Sequence, residues 1–420
     1  MAGHLIDRSG MPHLIARFGR DGMAEVAISE WRAASPNYAP RMQRLLGFTD
    51  PTVASIFKGM QLDIGAPPEF LDFRYEITDD NHGGFHLDHC GALMDVEPMG
   101  EDYVSVMCHD IEDPTFDATA AASNPRARME PIHRPPRSPA DRQPHCAWTV
   151  TIHPEADPLP FPAEAVRLAD SAAAQLPLPV RPDDLAHDDG WNDYRGPLDA
   201  DLVMERFSSA TIAALCDEVA LQGHLLSRAY LLEVADRVGD DVVPVGIEQA
   251  SGIAGLAAKR LAAALGATAD LTGLAAVLDV HPVFHPRTYV DLRMSPVDDP
   301  ADPDSPDSPD SPDGSGGPAG PGGPGGGAYR VALGSCPALD EPDGLTWPAL
   351  VAGPGGQAVL DAVAACVVPT ARVLAAAPEG DERAAWIVVD RPDLDPVDQP
   401  SSVTLTEFST GATFAFTRRT

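Results

Sequence analysis

The chain repeats itself, and the repeat limits what it can fold into. Residues 62–80, LDIGAPPEFLDFRYEITDD, resemble residues 278–299, LDVHPVFHPRTYVDLRMSPVDD. Both carry Leu-Asp-Ile/Val, a proline-containing loop, and an aromatic-aliphatic-Asp-apolar-Arg run. The likeness continues in the same order. GGFHLDHCGAL against GGAYRVALGSCPAL sets Cys90 opposite Cys336, and YVSVMCHDIEDPTFDA falls opposite WPALVAGPGGQAVLDA. HCAWTVTI against RAAWIVVD sets Trp148 opposite Trp386. A shared order sustained over roughly 100 residues predicts two related structural units.

Periodicity supplies the fold class. Leu71, Phe73, Tyr75 and Ile77 alternate with Asp72, Arg74 and Glu76, the pattern of a half-buried strand. GFHLDHC, DYVSVMC, RARMEPI and HCAWTVTI read as further strands. Helical spacing is expected over residues 17–33, 201–239 and 247–266. It is expected again in TDPTVASIFKGMQLDI, with an Asp cap and Pro51 at the first helical position. The prediction is an α+β protein of two tandem units, each made of helices followed by a small, mostly antiparallel sheet. The first unit spans residues 14–153. A connector over 154–200 holds a short helix near 162–176, and the second unit spans 201–420. That unit is interrupted at 298–327 by an Asp/Pro/Gly run with no apolar content, expected to be disordered. The end, SSVTLTEFSTGATFAFTR, reads as a hairpin.

The formal charge of −34, from 63 acidic against 29 basic residues, argues against binding nucleic acid or an anionic membrane through the general field. No apolar run of about 18 residues is present, so no membrane span is expected. The N-terminal stretch lacks the apolar core of a secretory signal. Six cysteines in 420 residues do not suggest a disulfide scaffold. A reducing cytoplasm is the expected compartment, where Cys/His clusters read as metal or catalytic sites. The expected partner is a small-molecule substrate or ligand, and a homo-oligomer is left open.

The repeat also acts as an internal control on chemistry. Copy 1 carries Cys90, Cys108 and Cys146 with His86, His89, His109, His133 and His145, whereas copy 2 keeps only Cys336 of the three cysteines. The strands do not need the Cys/His set in order to form. The expectation is an active first copy and a second that serves as scaffold or lid. Strict alternation places His86, Asp88 and Cys90 on one strand face, and Phe85, Leu87 and His89 on the other. Cys108 then shares a face with Val104 and Val106, and Cys146 with Trp148 and Val150.

Two chemistries fit these residues. Cys90, Cys108 and Cys146 with His86, His89 and His145 could hold zinc or iron, which suit thiolate and imidazole ligands. Alternatively Cys108 or Cys146 is a nucleophile, with His109 and Asp110 as base and orienter. His133, Arg134 and Trp148 are candidate substrate contacts. Against both stands the plain reading of buried free cysteines as small core residues.

At these residues the chain resembles the L-2-amino-thiazoline-4-carboxylic acid hydrolase-like family, over about residues 14–153. The residues that carry the resemblance are Cys90 in HCGALMDV, Cys108 with Asp110 in VMCHDIEDPTF, and Cys146 with Trp148 in HCAWTV. It implies helices followed by a small sheet, and hydrolytic opening of a small C–N/C–S ring or amidine-like group by thiol or metal chemistry. The expected function is therefore a hydrolase of a small nitrogen- or sulfur-containing molecule. The alternatives are a non-catalytic zinc- or iron-binding regulatory module and a thiol redox protein.

Overall fold

A glycine folds the first helix back on itself. In the computed structural model, which describes residues 3–183, 185, 190–297, 327–407 and 411–412, α1 (Leu5–Leu46) bends at Gly19. The φ of 71° there is a conformation glycine adopts without penalty. Asp7 and Trp31 each lie twelve residues from that bend and are hydrogen-bonded, Trp31 Nε1 donating to Asp7 Oδ2 at 3.1 Å. The two arms of α1 therefore run antiparallel. Gly47, with φ 73°, closes the second arm in a left-handed cap.

α2 (Val53–Gln61) follows. Its cap is Thr52, whose hydroxyl accepts from the Ser55 amide at 3.4 Å, rather than the expected Asp50. The rest of the first unit is β1 (Leu71–Ile77), β2 (His82–Cys90), α3 (Gly91–Val96), α4 (Glu101–Ser105), a π turn (Val106–Ile111), α5 (Glu112–Ser123), β3 (Ala127–His133) and β4 (Cys146–Ile152). The connector carries α6 (Ala163–Ala169) and α7 (Ala172–Gln175). The second unit runs through α8 (Ser209–Val238), α9 (Val242–Leu265), α10 (Leu271–Asp279), β5 (Leu292–Val297), β6 (Ala328–Gly334), α11 (Trp347–Ala352), α12 (Gln357–Val367), β7 (Ala371–Ala376), β8 (Glu382–Asp390) and α13 (Ser401–Glu407).

The two sheets share one topology. Their orders are β1-β2-β4-β3 and β5-β6-β8-β7, with every neighbour antiparallel. Register makes the repeat residue-specific. Trp148 stands opposite Phe85 and Trp386 opposite Val331. Cys90 and Cys336 each follow those partners by five residues, as the sequence pairing requires. Leu87 faces Cys146, and at the same place Leu333 faces Ala384. In the helix before each sheet the pairing slips by two. Leu62 and Val280, not Leu62 and Leu278, are the matching C-caps, with identical φ −111° and ψ 10°.

Two expected strands are helices. DYVSVMC lies in α4 and the π turn, where Val104, Met107, Cys108 and Ile111 are buried. That is the i, i+3, i+4, i+7 spacing of a helix laid on a sheet, and it overrides the short Val104/Val106 alternation. Residues 401–407 form α13 rather than a hairpin strand. The rest of the expected hairpin, apart from Gly411 and Ala412, and the expected disordered run, apart from Gly327, lie outside the described residues.

The core of the first unit is aromatic. Phe73, Phe85 and Trp148 line the inner sheet face, and Phe116 from α5 meets Trp148 edge to face with ring centres 4.9 Å apart. Each such ring removes roughly 150–250 Å² from water, about 4–6 kcal/mol at 25 cal/mol/Å². The helices at the centre repeat with pseudo-two-fold symmetry. Gly239 (φ 58°) separates α8 from α9 as Gly19 divides α1, and Gly266 closes α9 as Gly47 closes α1. His13 meets Glu248 at 3.1 Å, and Glu233 meets Ser29 at 2.9 Å. By their distance from the two glycines these are equivalent positions, so one contact is made twice. Among the described residues no helix is long and apolar enough to cross a membrane.

Candidate active site

The three cysteines of the first unit gather between its sheet and its helices, though not by the route the alternation suggested. In the β1–β2 ladder Asp72 pairs with His89 but Phe73 pairs with Leu87, so Asp88 is an extra, bulged residue. The bulge reverses the alternation. Cys90 joins Phe85 and Leu87 on the buried face, while His86 and His89 are half-buried and Asp88 is exposed. Cys146 lies directly opposite Leu87 and faces inward with Trp148 and Val150, as expected. Cys108 approaches from the helical layer, on the π turn.

All three thiols are buried. Burial pushes the Cys90 thiol up to about 12, with the charge of Glu112 as the second cause. Burial and then Glu112 raise Cys108 and Cys146 further still, with Cys90 adding to both and Cys146 adding to Cys108. At neutral pH they are protonated and inert as nucleophiles. Cys90 has a local task besides, because its Sγ accepts from the Leu93 amide at 3.4 Å and caps α3.

Glu112 is the residue the sequence analysis passed over. It opens α5, four residues after Cys108, and its charge reaches all three thiols. Its Oε2 is buried with no hydrogen-bond partner among the described residues. Burial raises its carboxyl from 4.5 to about 8, Arg134 pulls it down, and Asp113 adds to the rise. Arg134 is ion-paired to Asp113, and its guanidinium stands 5.7 Å from the centre of the Trp148 ring. Arg134 and Trp148 thus fall beside the cysteines, Arg134 acting on the Cys108 thiol and Trp148 on that of Cys146. The signal for Glu112 was available in the repeat, which places it opposite Gly356.

The expected Cys108–His109–Asp110 relay does not assemble. Consecutive residues on a helical turn point in different directions. His109 Nε2 instead bonds the Pro135 carbonyl at 2.7 Å, and Asp110 is exposed. The histidines scatter as well. His86 and His133 both pair with Ala147 on the outer sheet face, where His86 Nε2 lies 3.4 Å from Asp88. His89 Nε2 bonds the Gly411 carbonyl at 2.7 Å. The His145 amide bonds the Leu87 carbonyl at 2.8 Å. Cys90, Cys108, Cys146 and Glu112 have the donor chemistry for zinc or iron. Among the described residues, however, no group of three or more His, Cys, Asp or Glu side chains is disposed to hold a metal ion.

The second unit has the same surroundings without the chemistry. The places of Cys108, Glu112 and Cys146 fall to Ala352, Gly356 and Ala384, while Cys336 remains. Its helical layer is also interrupted. α11 ends at Ala352 and α12 starts at Gln357, where the first unit runs on through the π turn. Single π turns inside helices frequently mark functional sites. Comparison with protein-family models, with curated proteins and with solved structures finds no match to this chain.

Proposed function

We propose that the first unit hydrolyses a small nitrogen- or sulfur-containing molecule of the cyclic amidine or thiazoline kind, with Glu112 as its acid–base residue. The observation behind this reading is the Glu112 carboxyl. It is held near 8 by burial and has an unpaired oxygen among three thiols, at a place the second unit leaves to Gly356. A carboxyl tuned to the operating pH is the kind of group that moves protons in hydrolysis. Ionised Glu112 takes one proton from water as the water oxygen bonds to the C=N carbon, and the nitrogen of that bond takes a proton from solvent. Protonated Glu112 then returns its proton to the nitrogen or sulfur that leaves as the ring bond breaks, and the new hydroxyl gives its proton to solvent as the C=O forms. Arg134 holds an anionic group of the substrate against Trp148. The protonated thiols shape the site and exclude water, which preserves the raised carboxyl. No metal is needed for these steps.

The test is a turnover panel of cyclic amidines and thiazoline carboxylates with the wild type, Glu112→Gln and Cys108→Ala. Glu112→Gln should lower kcat/KM by about 10²–10⁴ and remove the pH limb near 8, and Cys108→Ala should change the rate less than about tenfold. Full activity in Glu112→Gln with loss in Cys108→Ala would replace the carboxyl with a thiol as the reacting group. No turnover of any member would leave the hydrolase reading without support.

A further inference from the structure

A second polar cluster lies where the two units join, outside the cysteine site. Glu30, Ser227, Tyr230 and Gln249 come from the second arm of α1, from α8 and from α9, and each is at most 1 % exposed. Glu30 Oε1, Ser227 Oγ, Tyr230 OH and Gln249 Oε1 have no hydrogen-bond partner among the described residues. Folded proteins hold few such groups, and each calls for a partner. Ser227 and Tyr230 lie three residues apart on α8, and Tyr230 and Gln249 both stand against Gly10 of α1. A Cβ on Gly10 would lie 2.8 Å from the Tyr230 ring and 3.1 Å from Gln249 Nε2. Burial followed by the charge of Glu30 raises the Tyr230 phenol, with Asp7 a further cause, and burial followed by Asp7 raises Glu30. Asp7, Glu30 and Tyr230 are thus within electrostatic reach of one another. Each nearby cation already has a carboxylate partner, Arg8 with Asp95 and His13 and Arg17 with Glu248, although the charge of Arg8 also reaches Asp7 and those of Arg17 and Glu248 reach Tyr230.

The pseudo-two-fold symmetry shows how the cluster is composed. Counted back from the closing glycines Gly47 and Gly266, Glu30 and Gln249 are equivalent. Counted from the bend glycines Gly19 and Gly239, Asp7 matches Ser227 and Gly10 matches Tyr230. The first unit contributes two carboxyls, and the second contributes an amide and two hydroxyls. The set is entirely oxygen, with no soft donor.

We infer that this inter-unit cluster binds a hard, oxygen-seeking divalent cation of the calcium class, through the carboxylates of Asp7 and Glu30 and through Gln249 Oε1, Tyr230 OH and Ser227 Oγ. Calcium takes six to eight oxygens, typically a mixture of carboxylate and neutral donors in flexible geometry. Two carboxylates balance its charge. A bound cation reverses the burial effect that otherwise favours the protonated acids. Trp31 donates to both Asp7 oxygens and so fixes the orientation of that carboxylate, leaving it one further lone pair on each oxygen for the ion. The site would tie the two units together through their shared helical layer.

Terbium(III) is a calcium-sized probe, and Trp31 and Tyr230 are placed to sensitise its emission. Full-length protein is freed of metal with a chelator and titrated with terbium under indole and phenol excitation. The expected result is sensitised emission that saturates at about one ion per chain and is displaced by CaCl₂ but not by KCl. Glu30→Gln, which copies the amide already accommodated at Gln249, should abolish that emission. CaCl₂ should raise the melting temperature of the wild type by a few degrees and leave that of Glu30→Gln unchanged. If Glu30→Gln does not fold, Ser227→Ala removes one neutral ligand and should weaken terbium binding about tenfold. Absence of sensitised emission in the wild type overturns the inference. So does emission of equal strength and affinity in the variants, which would place the ion elsewhere.

Discussion

Glu112 and Gly356 hold the same place in the two units, each fifteen residues before the first residue of the third strand, Ala127 or Ala371. The difference between them is not a simple exchange of side chains. A Cβ on Gly356 would lie 1.8 Å from the Leu350 carbonyl oxygen, so the second unit has no room for one. The first unit opens that room by running on through a π turn that carries Cys108, His109 and Asp110. The two copies have separated in backbone as well as in sequence.

Glu112 should make the first unit less stable as pH rises. Its carboxyl is lifted from 4.5 in the unfolded chain to about 8 in the fold. Below pH 4.5 it is protonated in both states and has no effect. Between 4.5 and 8 the unfolded chain ionises and the folded one does not, so stability falls by up to about 1.4 kcal/mol per pH unit. Glu112→Gln removes this contribution. Urea unfolding of both proteins from pH 5 to pH 8 compares the slopes, and equal slopes would mean that the carboxyl is solvated.

The cysteines should react in order of exposure. Cys216 is exposed and Cys366 is intermediate, whereas Cys90, Cys108, Cys146 and Cys336 are buried. Alkylation of native protein at pH 7.5, followed by peptide mass analysis, should mark Cys216 first and leave the cysteines of the first unit untouched until urea is added. Rapid labelling of Cys108 would reveal a thiolate and move the proposed chemistry from Glu112 to sulfur.

Arg41 should be among the costliest single charges to remove. It is 4 % exposed and forms a two-point pair with fully buried Glu218, at 2.6 and 3.0 Å, that joins α1 to α8. It also donates to the Leu176 carbonyl at 2.5 Å, which docks the connector. Arg41→Met leaves Glu218 charged and buried, a loss of about 3–5 kcal/mol. Adding Glu218→Leu should restore most of that loss. A double-mutant cycle by denaturant unfolding measures the coupling, and a coupling below about 1 kcal/mol would contradict the pairing.

Acid should loosen the second unit through two histidines. Burial lowers His224 and His281 from 6.5 to about 4. Above pH 6.5 both are neutral in either state and their contribution is complete. As pH falls from 6.5 towards 4, the unfolded chain takes up protons that the fold excludes, and stability drops by up to about 1.4 kcal/mol per unit for each. His281 Nε2 donates to the Ala254 carbonyl at 3.0 Å while Nδ1 accepts from the Val283 amide, which fixes the neutral tautomer. His281→Gln should flatten the slope of the unfolding midpoint between pH 6.5 and 4. An unchanged slope would show that His281 is not among the groups that titrate.

The sequence by itself determined the repeat, the α+β class and the alternation that faces Cys146, Trp148 and Val150 inward. These rest on local periodicity, which a strand or helix carries in its own residues. It also held the helical spacing of Val104, Met107, Cys108 and Ile111, hidden by a short stretch of alternation that competes with it. Only the tertiary structure decided the rest. The bulge at Asp88 answers to the partner strand β1, and it turned Cys90 inward while leaving His86 and His89 at the edge. The protonation of the thiols and of Glu112 depends on exclusion of water by residues from several elements, which no spacing along the chain encodes. Glu30 and Gln249 each look like an ordinary polar position on a long helix. They become a site only because two glycine-bent helix pairs, far apart in sequence, pack about one pseudo-two-fold axis and seal water away from the oxygens between them.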